Sequence, residues 1–142
     1  MDPEAGDELD QTMAAIAAQT GAVLHTYPWP RRAVRRVVLR DIRRERGTQF
    51  EAAQMEDDGT LPVVGHDTGP GVSAVFGAAI SSYEWVYVVP PSRIGALARA
   101  LGAEHHDDVL DALASYHQQH DGRISPLLRS AEIAAEFDNW PS

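Results

Sequence analysis

The run Tyr83-Glu84-Trp85-Val86-Tyr87-Val88-Val89 constrains the fold more than any other segment of the chain. β-Branched and aromatic residues dominate it and Pro90-Pro91 closes it, so it reads as a strand. Side chains alternate along a strand, which puts Tyr83, Trp85, Tyr87 and Val89 on one face and Glu84, Val86 and Val88 on the other. Both faces are apolar over most of their length. The expectation is a central strand with its aromatics in the core; the alternative is an aromatic face that recognises a partner. Glu84 begins the aliphatic face and there needs an arginine or backbone donors.

Such a strand needs neighbours. Residues 31–46 carry eight arginines interleaved with Val34, Val37, Val38, Leu39 and Ile42. Positions 34, 37, 38 and 42 suit an amphipathic helix, which the local pattern slightly favours; the segment also reads as a long edge strand whose arginines reach solvent. The neighbouring segments favour the strand, because Gln49–Glu56 and Thr60–His66 look like successive strands joined by a turn at Asp58-Gly59. Pro62 argues for an edge or a bulge in the third of these. Gly65–Gly71 reads as a loop and Val72–Gly77 as one helical turn. Beyond the Tyr83 strand, Ser92 is a natural N-cap for a helix striped by Ile94, Leu97, Ala98 and Leu101 and ended by Gly102. A second helix spans about Asp107 to Gln119, buried through Val109, Leu110, Leu113 and Tyr116. Ser125-Pro126 opens a third, and Ile133, Ala135 and Phe137 alternate as a last strand over 133–138. The order of elements predicts an α+β fold: a mainly antiparallel sheet of four or five strands with three short helices on one face. Residues 1–30, acidic and then Pro-rich, read as an N-terminal extension of a single domain over 31–142.

Composition narrows the partners. A chain of 142 residues with 44% hydrophobic and 23% charged residues can bury a core without staples. There is no cysteine, which excludes disulfides, a thiolate zinc site and a cysteine nucleophile. The formal net charge of -9 disfavours nucleic acid and favours a basic protein partner. The acidic start resembles no secretory signal and no apolar run reaches the roughly 18 residues of a membrane span, so a cytoplasmic location is expected.

Chemistry-bearing motifs are weak. Asp67-Thr68-Gly69 looks like an aspartic-protease triplet but lacks the preceding apolar strand and the second copy, so an Asx-type turn is the plainer reading. His66 and Asp67 are adjacent, so their side chains should diverge, and Ser73, Ser81 and Ser82 are near them only in sequence. His117 and His120, at i and i+3, offer half of a metal site; His105 and His106 sit about three turns away. The plainer reading is solvated histidines in a loop and at a frayed helix end. Gly69-Pro70-Gly71 lacks the lysine of a phosphate loop. The arginines of 31–46 can pair across strands with Glu51 and Glu56.

Asp58-Gly59-Thr60-Leu61, Gly65-His66-Asp67-Thr68-Gly69, Phe76-Gly77 and Tyr83-Glu84-Trp85 together resemble a group of short actinobacterial proteins of unknown function. Leu97, Leu101, Leu110, Leu113, Phe137 and Trp140 fit the helical stretch and aromatic tail that come next in that group. Some of its members look like immunity proteins that neutralise a toxin by binding it. Net charge, the lack of a catalytic constellation and an aromatic strand flanked by carboxylates point to a non-enzymatic binding protein without a cofactor, using Asp67, Tyr83, Glu84, Trp85 and Tyr87; the resemblance implies the immunity role. The alternatives are a small metal-dependent or hydrolytic enzyme using His66, Asp67 and Glu84 or the His117/His120 pair, and a structural subunit of an assembly.

Overall fold

Alternating burial organises the chain into one sheet. The computed structural model describes residues 33–142; the acidic arm, helix and Pro-rich link expected within 1–30 lie outside the described residues. Strands β1 (Ala33–Arg44), β2 (Gly47–Glu56), β3 (Leu61–Thr68), β4 (Ser82–Val89) and β5 (Glu136–Pro141) pair in sequence order as a five-stranded sheet. All four pairings are antiparallel. Helix α1 (Pro70–Phe76) links β3 to β4, and α2 (Ile94–Leu101), α3 (Val109–Gln119) and α4 (Ser125–Leu128) fill the excursion from β4 to β5. The fold is α+β, as the order of elements predicts. Among the described residues no helix is long and apolar enough to cross a membrane.

The arginine-rich segment is a strand at the sheet edge, paired along its length with β2 and interrupted by two register shifts. Its neighbour decides the matter: Phe50, Ala52, Ala53 and Gln54 are buried, and only a β1 on β2's free edge satisfies that backbone. The Asp58-Gly59 turn forms as expected, with Asp58 Oδ1 accepting from Thr60 N (2.9 Å).

Two apolar layers sandwich the sheet. On one face Ala53, Leu61, Val63, Tyr87 and Val89 pack against Ile94, Leu97, Val109, Leu110, Leu113, Leu128 and Ile133. On the other, Phe50, Ala52, Val64 and Val86 cluster with Val88 and Trp140. The double burial inferred for the Tyr83–Val89 strand is thus a property of the sheet's centre.

Several local expectations give way. The strand β3 runs through Thr68, so Asp67 is paired on both sides, with Gln49 and Tyr83, instead of forming a turn. Pro62 lies in a central strand, but at a step where β3 pairs only with β4. Its missing N–H therefore breaks no ladder bond towards β2. Ser92 does not cap α2; it sits inside a 3₁₀ turn, Pro91–Arg93, that feeds the helix directly. Ser125 makes no cap bond either, because its hydroxyl is held by Tyr87. Ile133 is a fully buried core residue in the turn before β5, whose pairing starts at Glu136. Burial there, and not strand alternation, explains its apolar character.

Candidate functional site

Register decides which side chains meet. Across β2, β3 and β4 on the helix-bearing face the rows are Gln49–Asp67–Tyr83, then Glu51–Gly65–Trp85, then Ala53–Val63–Tyr87. The strand β5 extends the last row with Phe137 opposite Tyr87. Gly65 supplies the space at the middle: a Cβ built there would run into Cε2, Cζ2 and Nε1 of the Trp85 indole. The indole therefore lies flat across β3 because β3 has no side chain at that point.

The aromatics line one face of β4 as a strip made of two groups of touching rings. Phe76, at the end of α1, packs on Tyr83 (ring centroids 4.9 Å), Trp85 meets Tyr87 edge-on (5.7 Å), and Tyr87 packs on Phe137 (4.7 Å). Such tilted and edge-to-face contacts suit the quadrupoles of the rings. Tyr87 is buried, Tyr83 and Trp85 are half-buried, and Phe76 and Phe137 are 41% and 40% exposed at the two ends. The choice between core and surface thus resolves within one strand. A cleft of about 210 Å³ opens along the strip, lined by Glu51, Tyr83, Trp85, Tyr87, Gly122, Ile124, Ser125 and Phe137.

The carboxylates beside the strip are held unequally. His117 donates from Nε2 to Glu51 Oε2 (2.5 Å), and Arg40 Nε stands 3.9 Å from the same oxygen. Arg40 is itself fixed by Gln49 Oε1 (3.3 Å) and the Asp121 carbonyl (3.4 Å), its guanidinium lying where any side chain at Gly122 would collide. No described residue donates a hydrogen bond to the Asp67 carboxylate. Burial, reinforced by the charge of Glu51 and opposed by Arg40, pushes its pKa up to about 6. Burial also pushes the Tyr83 hydroxyl up.

Of the five residues proposed from sequence, Asp67, Tyr83, Trp85 and Tyr87 share this face, and Glu84 does not. It is buried on the opposite face, where it pairs with His66 and Trp140. There His66 Nε2 hydrogen-bonds Ser82 Oγ (2.9 Å), so Ser82 is near His66 in space as well as in sequence. Both are buried, and burial holds His66 below its usual range and so neutral. Asp67 points the other way, as adjacent strand residues must. His117 is not solvated at a frayed end but buried against Glu51, while His120 stacks on Tyr116 (3.8 Å) and bonds its carbonyl. The two do not converge, and among the described residues no group of three or more His, Asp or Glu could hold a metal.

The sequence offers Glu51 and the arginine segment only as a cross-strand ion pair and His117 only as a metal ligand beside His120; their meeting at this cleft escapes it. The signal for them is the shared parity of Glu51 with Ala53 along β2, legible only once the register with Gly65 and Trp85 is known. A roomier cleft of about 500 Å³ lies elsewhere, between β1, the β2–β3 turn and the start of α3. Ile94, Val109 and Leu110 of its lining are core residues.

The fold and cleft define a small α+β protein with a carboxylate-edged aromatic strip. Comparison with protein-family models, with curated proteins and with solved structures finds no match.

Proposed function

We propose that this chain is a non-enzymatic, cytoplasmic binding protein, of the immunity or inhibitor type, that neutralises a partner protein by holding it against the β4 strip. The observation that supports this reading is the strip itself. Phe76–Tyr83 and Trp85–Tyr87–Phe137 form two groups of touching rings on one face, exposed at Phe76 and Phe137, with an open cleft beside them. Exposed Val75 (75%) extends its apolar surface at the Phe76 end. Aromatic surface of this kind is where interface hot spots concentrate. The net charge of -9 adds attraction for a basic partner.

The test is affinity capture from the native cell with the wild-type chain and with Trp85→Ala and Phe137→Ala. A specific partner should be retained by the wild type and lost, about tenfold or more, by either variant, since hot-spot truncations cost at least ~2 kcal/mol. Equal capture by correctly folded variants sinks the reading.

One observation favours a second reading, a small hydrolase. Asp67, raised to about 6, stands beside the Glu51 carboxylate, and a carboxyl of raised pKa is a group that acid–base catalysis uses. Turnover of chromogenic glycosides or esters that disappears in Asp67→Asn would establish it.

A further inference from the structure

Resting on the binding reading, we infer that the cleft takes an arginine side chain of the partner, with its guanidinium against the aromatic rings and the Glu51 carboxylate. Size comes first. About 210 Å³ is below the ~300 Å³ at which pockets for cofactors and drug-sized ligands begin, and it suits one long side chain. Charge comes second. Among the eight residues lining the cleft, Glu51 is the only charged one. His117 and Arg40 both approach its Oε2, whereas no described residue donates to Oε1. Asp67 adds a second carboxylate close by without a hydrogen-bond donor of its own among the described residues.

The rings supply the third argument. Tyr83, Trp85, Tyr87 and Phe137 present π faces and edges to the cleft, and a cation over such a face is attracted by the ring quadrupole. The protein already uses this interaction at the rim, where Arg129 Cζ stands 5.7 Å from the Phe137 ring centroid. A planar, weakly hydrated guanidinium can stack on a ring and fork onto a carboxylate at once; an ammonium cannot. Arg40 and Arg129 flank the cleft but are engaged with Glu51 and the Phe137 ring, so the only charge the lining itself offers an incoming group is the Glu51 carboxylate.

The experiment titrates the ¹⁵N-labelled full chain with N-acetyl-arginine amide, its neutral isostere N-acetyl-citrulline amide, and N-acetyl-lysine amide. The readout is the Trp85 indole N–H signal, assigned with Trp85→Phe. The arginine amide should move that signal saturably, and the citrulline amide should bind about tenfold more weakly, the loss of one charge-assisted contact. Glu51→Gln should weaken the arginine amide by about the same factor, and Phe137→Ala should weaken it without disturbing the rest of the spectrum. Equal binding of the citrulline amide, tighter binding of the lysine amide, or an unmoved Trp85 signal each overturns the assignment. The two readings fail separately. If partner capture needs Trp85 but arginine and citrulline amides are indistinguishable, only the occupant is wrong. If the arginine amide binds as expected but cleft variants capture the partner normally, the binding surface lies elsewhere.

Discussion

Asp67→Asn should make the protein more stable at neutral pH, because the wild-type carboxylate is ionised where the fold disfavours its charge. Burial and Glu51 raise Asp67 from 3.8 to about 6. At about 1.4 kcal/mol per pKa unit, this rise corresponds to a ceiling of ~3 kcal/mol. The carboxyl keeps part of its solvent contact, and screening reduces the figure to ~1–2 kcal/mol. Between pH 3.8 and about 6 the folded chain holds a proton that the unfolded chain has released, so stability falls as pH rises through that window. Above it the penalty is complete; below it there is none. The neutral, isosteric asparagine removes the titration. In urea denaturation the variant should exceed the wild type by ~1–2 kcal/mol at pH 7 with unchanged m, and the two should converge below about pH 4. The wild-type profile alone would mislead, since His66 acts in the opposite sense. Desolvation lowers its pKa, so the unfolded chain takes up protons first, and stability falls as pH drops below 6.5. Subtracting the variant's profile from the wild type's isolates Asp67. A difference that is absent at pH 7, or that does not change between pH 4 and pH 7, refutes the reasoning.

Gly65→Ala should cost ~1–3 kcal/mol as an overpacking change, because the new methyl occupies the space of the Trp85 indole. Tryptophan fluorescence should shift with it, and partner capture should fall as in Trp85→Ala; a native emission spectrum and full capture would show that the indole does not depend on that gap. Gln54→Leu should be neutral or stabilising by up to ~2 kcal/mol, since the amide is 1% exposed and neither its oxygen nor its nitrogen has a hydrogen-bond partner among the described residues. A clear loss of stability in thermal unfolding would mean the amide is satisfied after all.

The sheet was legible because it rests on period-two burial, which sequence displays directly. The two faces of Tyr83–Val89 are those that alternation assigns, and the strand reading of the arginine segment followed from its neighbours' need for a paired edge. Local appearance misleads where a long-range contact overrides a residue's local role. Ser125 looks like a helix cap, but its hydroxyl is taken by Tyr87, 38 residues away. His117 looks like a helix-end histidine, but Glu51 on β2, 66 residues away, buries it. Asp67 sits between glycines and so resembles a turn, yet Gly65 serves the Trp85 ring and leaves the strand intact. Glu84 falls on the face that alternation assigns it, opposite the aromatics, which separates it from the other candidate binding residues.

That separation also divides the polar residues by physical role. On the face carrying Phe50, Val64 and Val86, the polar groups Gln54, His66, Ser82 and Glu84 are all buried, out of reach of any incoming molecule, so their effect is on stability. On the opposite face Glu51 lines an open cleft and Asp67 lies one row away from it. A carboxylate there that raises the folded state's energy at neutral pH gains nothing for the fold alone. On the proposed reading, a cation entering beside it offsets that cost. The same substitution can therefore be read twice. Asp67→Asn should stabilise the free protein at pH 7 and, in the same preparation, weaken its hold on N-acetyl-arginine amide by at least about threefold. Gain of stability with unchanged arginine affinity would assign the strained carboxylate to the fold and not to binding.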